Sequence, residues 1–306
     1  MIIDLPNTDT KAIEKSLAGV RESHSLASGR VLTLLVAVEE GSVRIDDTLA
    51  TLRAASAEHP ARVLVLVTGD PDGEPRLDAK LMVTSDAGAS EVVLMRLHGE
   101  LTRHLGAIVT PLLLPDTPVV ACWPETAPDA PASKQLGTIA QRRITNLLGG
   151  GPAASLADLA EGYEPGDSDV LWSRITPWRG ILASALDRFP GHTITGAEMA
   201  GAVGNPSVEL AAGWLASSLN IEVTRCDAEV SGFPIKHTII HTDGGDIEVV
   251  AQGNFTVRIS VPGLADSLVA MGERTDAECL AEELRHLGPD NTYGAALQGL
   301  KKVRHA

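Results

Sequence analysis

The chain is poor in the residues that build stapled or metal-bound folds. Its three cysteines, Cys122, Cys226 and Cys279, are odd in number and far apart. That excludes a disulfide framework and any Cys-x-x-Cys metal pair, and it predicts reduced thiols. Aromatic residues make up 3% of the 306 positions, and only four are Trp. No stretch reaches the ~18 apolar residues that a spanning helix needs, and Met1-Ile-Ile-Asp-Leu-Pro6 is not a basic segment leading into a long apolar one. Positive charge is scarce as well. Lys and Arg total 25 against 40 Asp and Glu, a formal charge of -15 whose field repels phosphate backbones and anionic lipid. These absences predict a folded cytoplasmic protein that binds neither nucleic acid nor membrane.

The motifs of common chemistry are also missing. There is no Gly-x-Gly-x-x-Gly after a strand and no Gly-Lys-Ser/Thr loop, so the close backbone approach that phosphates require is not encoded. Gly149-Gly-Gly151 follows a helical pattern and reads as a linker. No Gly-x-Ser-x-Gly elbow exists, and Ser90 reads as structural. His237 and His241 fall on one face of a strand about 13 Å apart, too far to share a metal. Asp167 and Asp169 read as turn or helix-cap residues. No catalytic residue, metal or cofactor is predicted.

The hydrophobic content of 44% supports a large core, and the length suggests two domains, 1–150 and 151–306. In the first, Val31–Val38 and Arg62–Val67 are continuous apolar runs on either side of a helix opened by Asp46 and Asp47, which reads as a crossover with parallel strands. Leu77–Thr84, Ala89–Leu97 and Pro111–Pro124 read as further strands, and Ser133–Leu148 as a helix. The expected first domain is therefore α/β, a mixed and largely parallel sheet with flanking helices. The second begins with helices near Leu156–Ala160 and Val170–Leu186 and continues with a helix at Ser207–Leu219. Strand candidates Ile221–Cys226, Ile235–His241, Ile247–Ala251 and Phe255–Val261 follow, with hairpin turns at Asp243-Gly-Gly245 and Gly253-Asn254. Helices at Asp276–His286 and Thr292–Lys301 close an α+β domain with an antiparallel sheet.

Against this plain background one stretch stands out. Trp172, Arg174, Trp178 and Arg179 lie within eight residues, and Trp and Arg are the side chains most enriched at binding hot spots. They could equally plug the core below a helix. The four form a candidate partner-binding group, with Trp123, Arg142 and Arg143 as a second. A ligand pocket at the carboxyl ends of the strands near Val38 and Val67, lined by His59, Arg62 and Asp70, is the competing candidate.

At these residues the chain resembles the glucose-6-phosphate dehydrogenase assembly protein family, OpcA, in its shorter actinobacterial form. The resemblance is carried by Leu5-Pro-Asn-Thr-Asp, Gly29-Arg-Val-Leu-Thr-Leu, His59-Pro-Ala-Arg-Val, Leu77-Asp-Ala and Gly88-Ala-Ser-Glu-Val-Val-Leu-Met-Arg-Leu. It continues through Pro111-Leu-Leu-Leu-Pro-Asp-Thr-Pro-Val-Val-Ala-Cys-Trp-Pro, Ala140-Gln-Arg-Arg-Ile-Thr and Tyr163-Glu-Pro-Gly-Asp-Ser-Asp to Trp178-Arg. It implies a non-catalytic partner that binds glucose-6-phosphate dehydrogenase and promotes its oligomeric assembly or activity at the entry to the oxidative pentose phosphate pathway. NADP and glucose 6-phosphate would then belong to the enzyme. The family supplies no catalytic residues to carry over.

Overall fold

The computed structural model describes residues 1–24, 31–42, 44–83, 91–150, 154–253 and 255–306. Gly29, Ser90, Gly151 and Asn254, all named above, lie outside the described residues. The chain divides into two compact units. The first holds 1–154, 162–170 and 276–289, and the second 155–161, 171–275 and 290–306. Where the sequence suggests one join at residue 150, the chain leaves the first unit and re-enters it twice.

The first unit contains β1 (Ile2–Leu5), α1 (Thr10–His24), β2 (Leu32–Glu39), α2 (Ile45–Glu58), β3 (Ala61–Thr68), β4 (Arg76–Val83), β5 (Glu91–His98) and α3 (Leu105–Val109). β6 (Val119–Trp123), β7 (Arg142–Thr145) and, beyond α4 (Leu156–Glu161) of the second unit, β8 (Asp167–Asp169) complete an eight-stranded sheet ordered β1-β4-β5-β3-β2-β6-β7-β8. β5, β3, β2, β6, β7 and β8 run parallel, while β4 pairs antiparallel with both β1 and β5. The central parallel strands β3, β2 and β6 read as nearly unbroken apolar runs because both faces are covered. Leu34, Val36, Val63 and Val65 pack against Leu49 and Leu52 of α2 and against Cys279, Leu280 and Leu284. The alternate residues Leu35, Leu64, Leu66 and Met95 pack against Ile13 and Leu17 of α1 and against Ile108 and Leu112.

The expected helix over 133–148 is not formed. Short turns at Pro131–Ser133 and Gly137–Ile139 lead instead into β7. Gly137 permits this path: a Cβ there would collide with the Pro131 carbonyl, and its absence lets the backbone turn back on itself. Asp167 and Asp169, expected in a turn, lie on β8.

The second unit continues from α4 with α5 (Val170–Arg174, of which Val170 counts with the first unit), α6 (Thr176–Asp187), β9 (Ile194–Gly201), α7 (Pro206–Leu219), β10 (Val223–Asp227), β11 (Ile235–Thr242), β12 (Gly245–Gln252), β13 (Thr256–Ser260) and β14 (Ser267–Ala270). After α8 (Asp276–Arg285), which belongs to the first unit, come α9 (Asn291–Gly299) and β15 (Val303–His305). The seven-stranded sheet is ordered β14-β13-β12-β11-β9-β10-β15, antiparallel from β14 to β9 and parallel across β9, β10 and β15. Helix limits follow local chemistry. The Asn205 side chain accepts from Ser207 N–H, Pro206 opens α7 and left-handed Asn220 closes it.

α8 is fastened to the first sheet by charge. Glu283 accepts from Arg142 Nη2 and from Ser168 Oγ, both at 2.6 Å, and all three side chains are buried. Removing one partner of a buried pair strands the other charge. Glu283→Ala should therefore lower unfolding free energy by about 3–5 kcal/mol, read as a shifted midpoint in urea titration of the whole chain.

Candidate functional site

Between β2 and β6 the sheet changes direction of travel: β3 lies on one side of β2 by way of α2, and β6 is laid down on the other side after β5. In open α/β sheets the crevice at such a point, beyond the carboxyl ends of the strands, is where ligands bind. A pocket of about 440 Å³ sits there, within the usual range for small-molecule sites. Val38 and Glu39 of β2, Thr68 of β3, Trp123 of β6, Glu125, and the Ser133–Leu136 segment line it. The pocket lies where the sequence places it, at the strand ends near Val38 and Val67, but none of the three residues nominated for it is on this wall.

Arg62 is at the opposite, amino end of β3. Its guanidinium is buried against Glu91 at 2.9 Å and donates to the Leu112 carbonyl at 2.7 Å. It is a structural charge, and six further residues of strand, roughly 20 Å, lie between it and the end of β3 beyond which Asp70 sits. Asp70 is exposed just past the carboxyl end, where its Oδ1 accepts from Asp72 N–H in a turn. His59 caps the carboxyl end of α2, and its Nε2 is buried without a hydrogen-bond partner among the described residues. These three do not form one site.

The pocket's electrostatics are acidic. Glu125 is almost wholly buried and accepts from Thr48 Oγ1 at 2.8 Å. Glu39 adds a second carboxylate, and Lys134, the one cation among the described wall residues, is paired with Asp129 at 2.9 Å. Glu39 ends β2 and Glu40 opens the turn after it, and Asp46 and Asp47 occupy the first turn of α2. A phosphate-binding crossover presents glycine N–H groups and an uncompensated helix end at that place. Here carboxylates already hold it, so the pocket favours neutral or cationic groups and repels phosphate. Sequence reasoning missed Glu39, Thr68, Glu125 and Gln135; the strand-end positions of the first three were the available signal, and Gln135, within the expected helix, carried none.

The Trp and Arg group is brought together, but inward. Trp178 has no exposed surface; it stacks on Phe233 at 5.5 Å and donates from Nε1 to Thr238 Oγ1 at 3.1 Å. Trp172 is buried, meets Tyr293 edge-on at 5.7 Å, and donates to Asp290 Oδ2 at 2.7 Å. Asp290 uses its other oxygen to cap α9 through the N–H groups of Thr292 and Tyr293. Arg179 lies 3.4 Å over the Trp172 ring and donates to Thr176 Oγ1 at 2.7 Å. Arg174 donates to the Arg274 carbonyl at 2.7 Å. The indole donors are met internally and the two guanidiniums bond within the same unit, so this group is a core joint between α5, α6 and α9.

The second group also turns inward. Arg142 is held by Glu283, and Arg143 bonds to Asp167 and donates to the carbonyls of Pro165 at 2.6 Å and Ala140 at 3.0 Å. Trp123, although mostly buried, reaches the pocket wall and is the one member of either group that does.

Two family models match in succession. The N-terminal domain of the glucose-6-phosphate dehydrogenase subunit matches residues 52–161, and the C-terminal domain of the same subunit matches residues 165–297. The chain belongs to the glucose-6-phosphate dehydrogenase subunit family. No curated protein matches the sequence. Among solved structures, a 3-ketoreductase from Actinomadura kijaniata in complex with TDP-benzene and NADP is similar at 9% identity over 89% of this chain and 98% of its own, with a TM-score of 0.44. A biliverdin reductase from Synechocystis in complex with biliverdin and NADP+ is similar at 11% identity over 89% and 96%, with a TM-score of 0.41. An oxidoreductase from Sinorhizobium meliloti shares 10% identity over 90% and 96%, with a TM-score of 0.44. Likenesses this distant carry no inference about activity.

For this family member the described residues hold no group of three or more His, Cys, Asp or Glu side chains placed to bind a metal, and no described helix is long and apolar enough to cross a membrane. Thiol chemistry is not prepared at Cys122 or Cys226. Burial, and then the Asp169 charge, pushes Cys122 up to about 12, and Cys226 is raised chiefly by burial. Two outcomes follow. Cys122 should stay unalkylated by iodoacetamide at pH 8 in the native chain and react once it is unfolded, as peptide mass mapping would show. The unfolded thiol ionises near its ordinary value of 9.0 and the folded one does not. The stability linked to the neutral thiol is thus complete below that pH and is lost as pH rises toward about 12. Thermal-shift measurements should also show no stabilisation by NADPH or glucose 6-phosphate at millimolar concentration; a clear shift would mean the carboxylates do not exclude phosphate.

Proposed function

We propose that the chain is a non-catalytic cytoplasmic subunit that binds glucose-6-phosphate dehydrogenase and promotes its oligomeric assembly or its activity, at the entry to the oxidative pentose phosphate pathway. One observation carries this reading: both halves of the chain match domains described as parts of a dehydrogenase subunit, in order and over most of its length. The acidic pocket supports it from the other side, because phosphate-bearing substrate and cofactor are repelled from the place where an α/β sheet would bind them. A sensor of sugar phosphates or nucleotides is disfavoured on the same ground.

Such a subunit works through differential affinity. If it binds the active oligomer of the enzyme better than the inactive form, it shifts the population by the difference, and a ten-fold shift takes only ~1.4 kcal/mol. Mixing the purified chain with the dehydrogenase of the same organism should give co-elution on size exclusion and a changed rate of NADPH formation or a changed KM for substrate. The chain alone should form no NADPH. Absence of a complex across a range of salt and ligand conditions would sink the proposal.

A further inference from the structure

Among the described residues of the second unit, helices cover one face of the second sheet. α6 and α7 pack against it through Met199, Ile240, Val249 and other buried residues. The residues between them point the other way and, Ala200 apart, are half-buried or exposed. On this outer face the cross-strand partners line up in rows: Ala200, His237, Val250, Arg258 and Leu268 in one, and Glu198, Ile239, Glu248 and Ser260 in the next.

A solvated antiparallel face normally alternates to polar residues. This one places Ile239 and Val250 at its centre and Leu268, 66% exposed, on edge strand β14. Its polar side chains are hydrogen-bonded or paired within the face. His237 Nε2 meets Glu198 Oε1 and His241 Nδ1 meets Asp246 Oδ1, both at 3.0 Å, and Arg258 lies between Glu248 and Asp266 at 3.4 and 3.2 Å. An apolar centre inside a ring of mutually bonded polar side chains is the composition of a protein contact surface. Seven strands about 4.8 Å apart and about six residues long give a flat footprint of about 600 Å², before side-chain relief is counted, close to the ~800 Å² per partner of a standard interface.

The geometry points to this outer face, centred on Ile239, Val250 and Leu268, as the surface that docks the dehydrogenase, on a partner face with an apolar centre and a basic rim. The inference rests on the subunit reading given above. With histidines counted as neutral, the face holds the carboxylates Glu198, Asp246, Glu248 and Asp266 around the guanidinium of Arg258. Two copies of the chain, each of formal charge -15, would bring these acidic rims together, which disfavours self-association. A basic rim is the complement.

The test uses the full chain and the intact dehydrogenase. Val250→Arg and Leu268→Arg each place a bulky cation in the apolar centre, and Glu248→Lys reverses the rim; Arg96→Glu, exposed on the first unit, serves as control. The expected result is a Kd at least ten-fold weaker for the three face variants, with unchanged Tm, together with wild-type affinity for Arg96→Glu and a wild-type Kd that rises with salt. If Val250→Arg fails to fold, Leu268→Arg on the exposed edge strand decides the matter. Folded face variants that bind the dehydrogenase like wild type would overturn this surface and leave the subunit reading standing. A wild-type chain that forms no complex would overturn both. Wild-type self-association abolished by the same substitutions would show that a second copy, rather than the enzyme, covers the face.

Discussion

A guanidinium taken out of water must be met by carboxylates or carbonyls, and that requirement organises both units of this chain. Arg142 cannot be buried on β7 unless Glu283 is brought to it, so α8, more than a hundred residues later in sequence, is drawn back to the first unit. Ser168 shares the same carboxylate oxygen, which fixes β8 at the sheet edge beside β7. In the second unit Arg225 of β10, fully buried, meets Glu209 of α7 at 3.1 Å and the Ala202 carbonyl at 2.7 Å, fastening a helix to the strand that follows it. Such pairs add little net stability relative to apolar packing, but breaking one is costly, so they act as registry marks for segments distant in sequence.

This use of arginine explains why the most conspicuous sequence feature misled. Trp and Arg concentrate at binding hot spots because an indole offers a large apolar body with one donor and a guanidinium a fork of donors. The same properties serve an internal joint when acceptors come from within. Asp290 decides which outcome holds for Trp172: it caps α9 with one oxygen and takes the indole N–H with the other, and Arg179 closes over the ring. Nothing at positions 172–179 announces that residue 290 will supply the acceptor.

What could be read from the chain followed local periodicity. β2, β3 and β5 were legible as unbroken apolar runs, and the β11–β12 hairpin as two alternating segments around Asp243-Gly-Gly245. β7 was not. Leu136, Ala140 and Ile144, the last on β7 itself, fall at helical spacing, whereas the backbone turns at Gly137, whose missing Cβ admits the Pro131 carbonyl. β1, β8, β14 and β15, three or four residues each, form because a longer strand offers them partners, and strands that short carry too few residues for a period to show. The pocket was legible as a place, at the strand ends, because sheet topology fixes it. Its wall was not, since Lys134 and Gln135 come from a segment that was read as helix.

The two units solve the same problem in opposite ways. The first sheet carries apolar residues on both faces through β3, β2 and β6 and covers both. The second alternates, covers one face with helices, and leaves on the other a set of apolar side chains that water does not favour and that no described segment of the second unit covers. Within one face, His237 hydrogen-bonds Glu198 and Arg258 holds Glu248 across strands, which lowers the desolvation that a partner would have to overcome on approach. Had the face served only solubility, unpaired lysines and glutamates in place of Ile239 and Val250 would have done so at lower cost in exposed apolar area. Its composition is that of a surface already prepared to leave water.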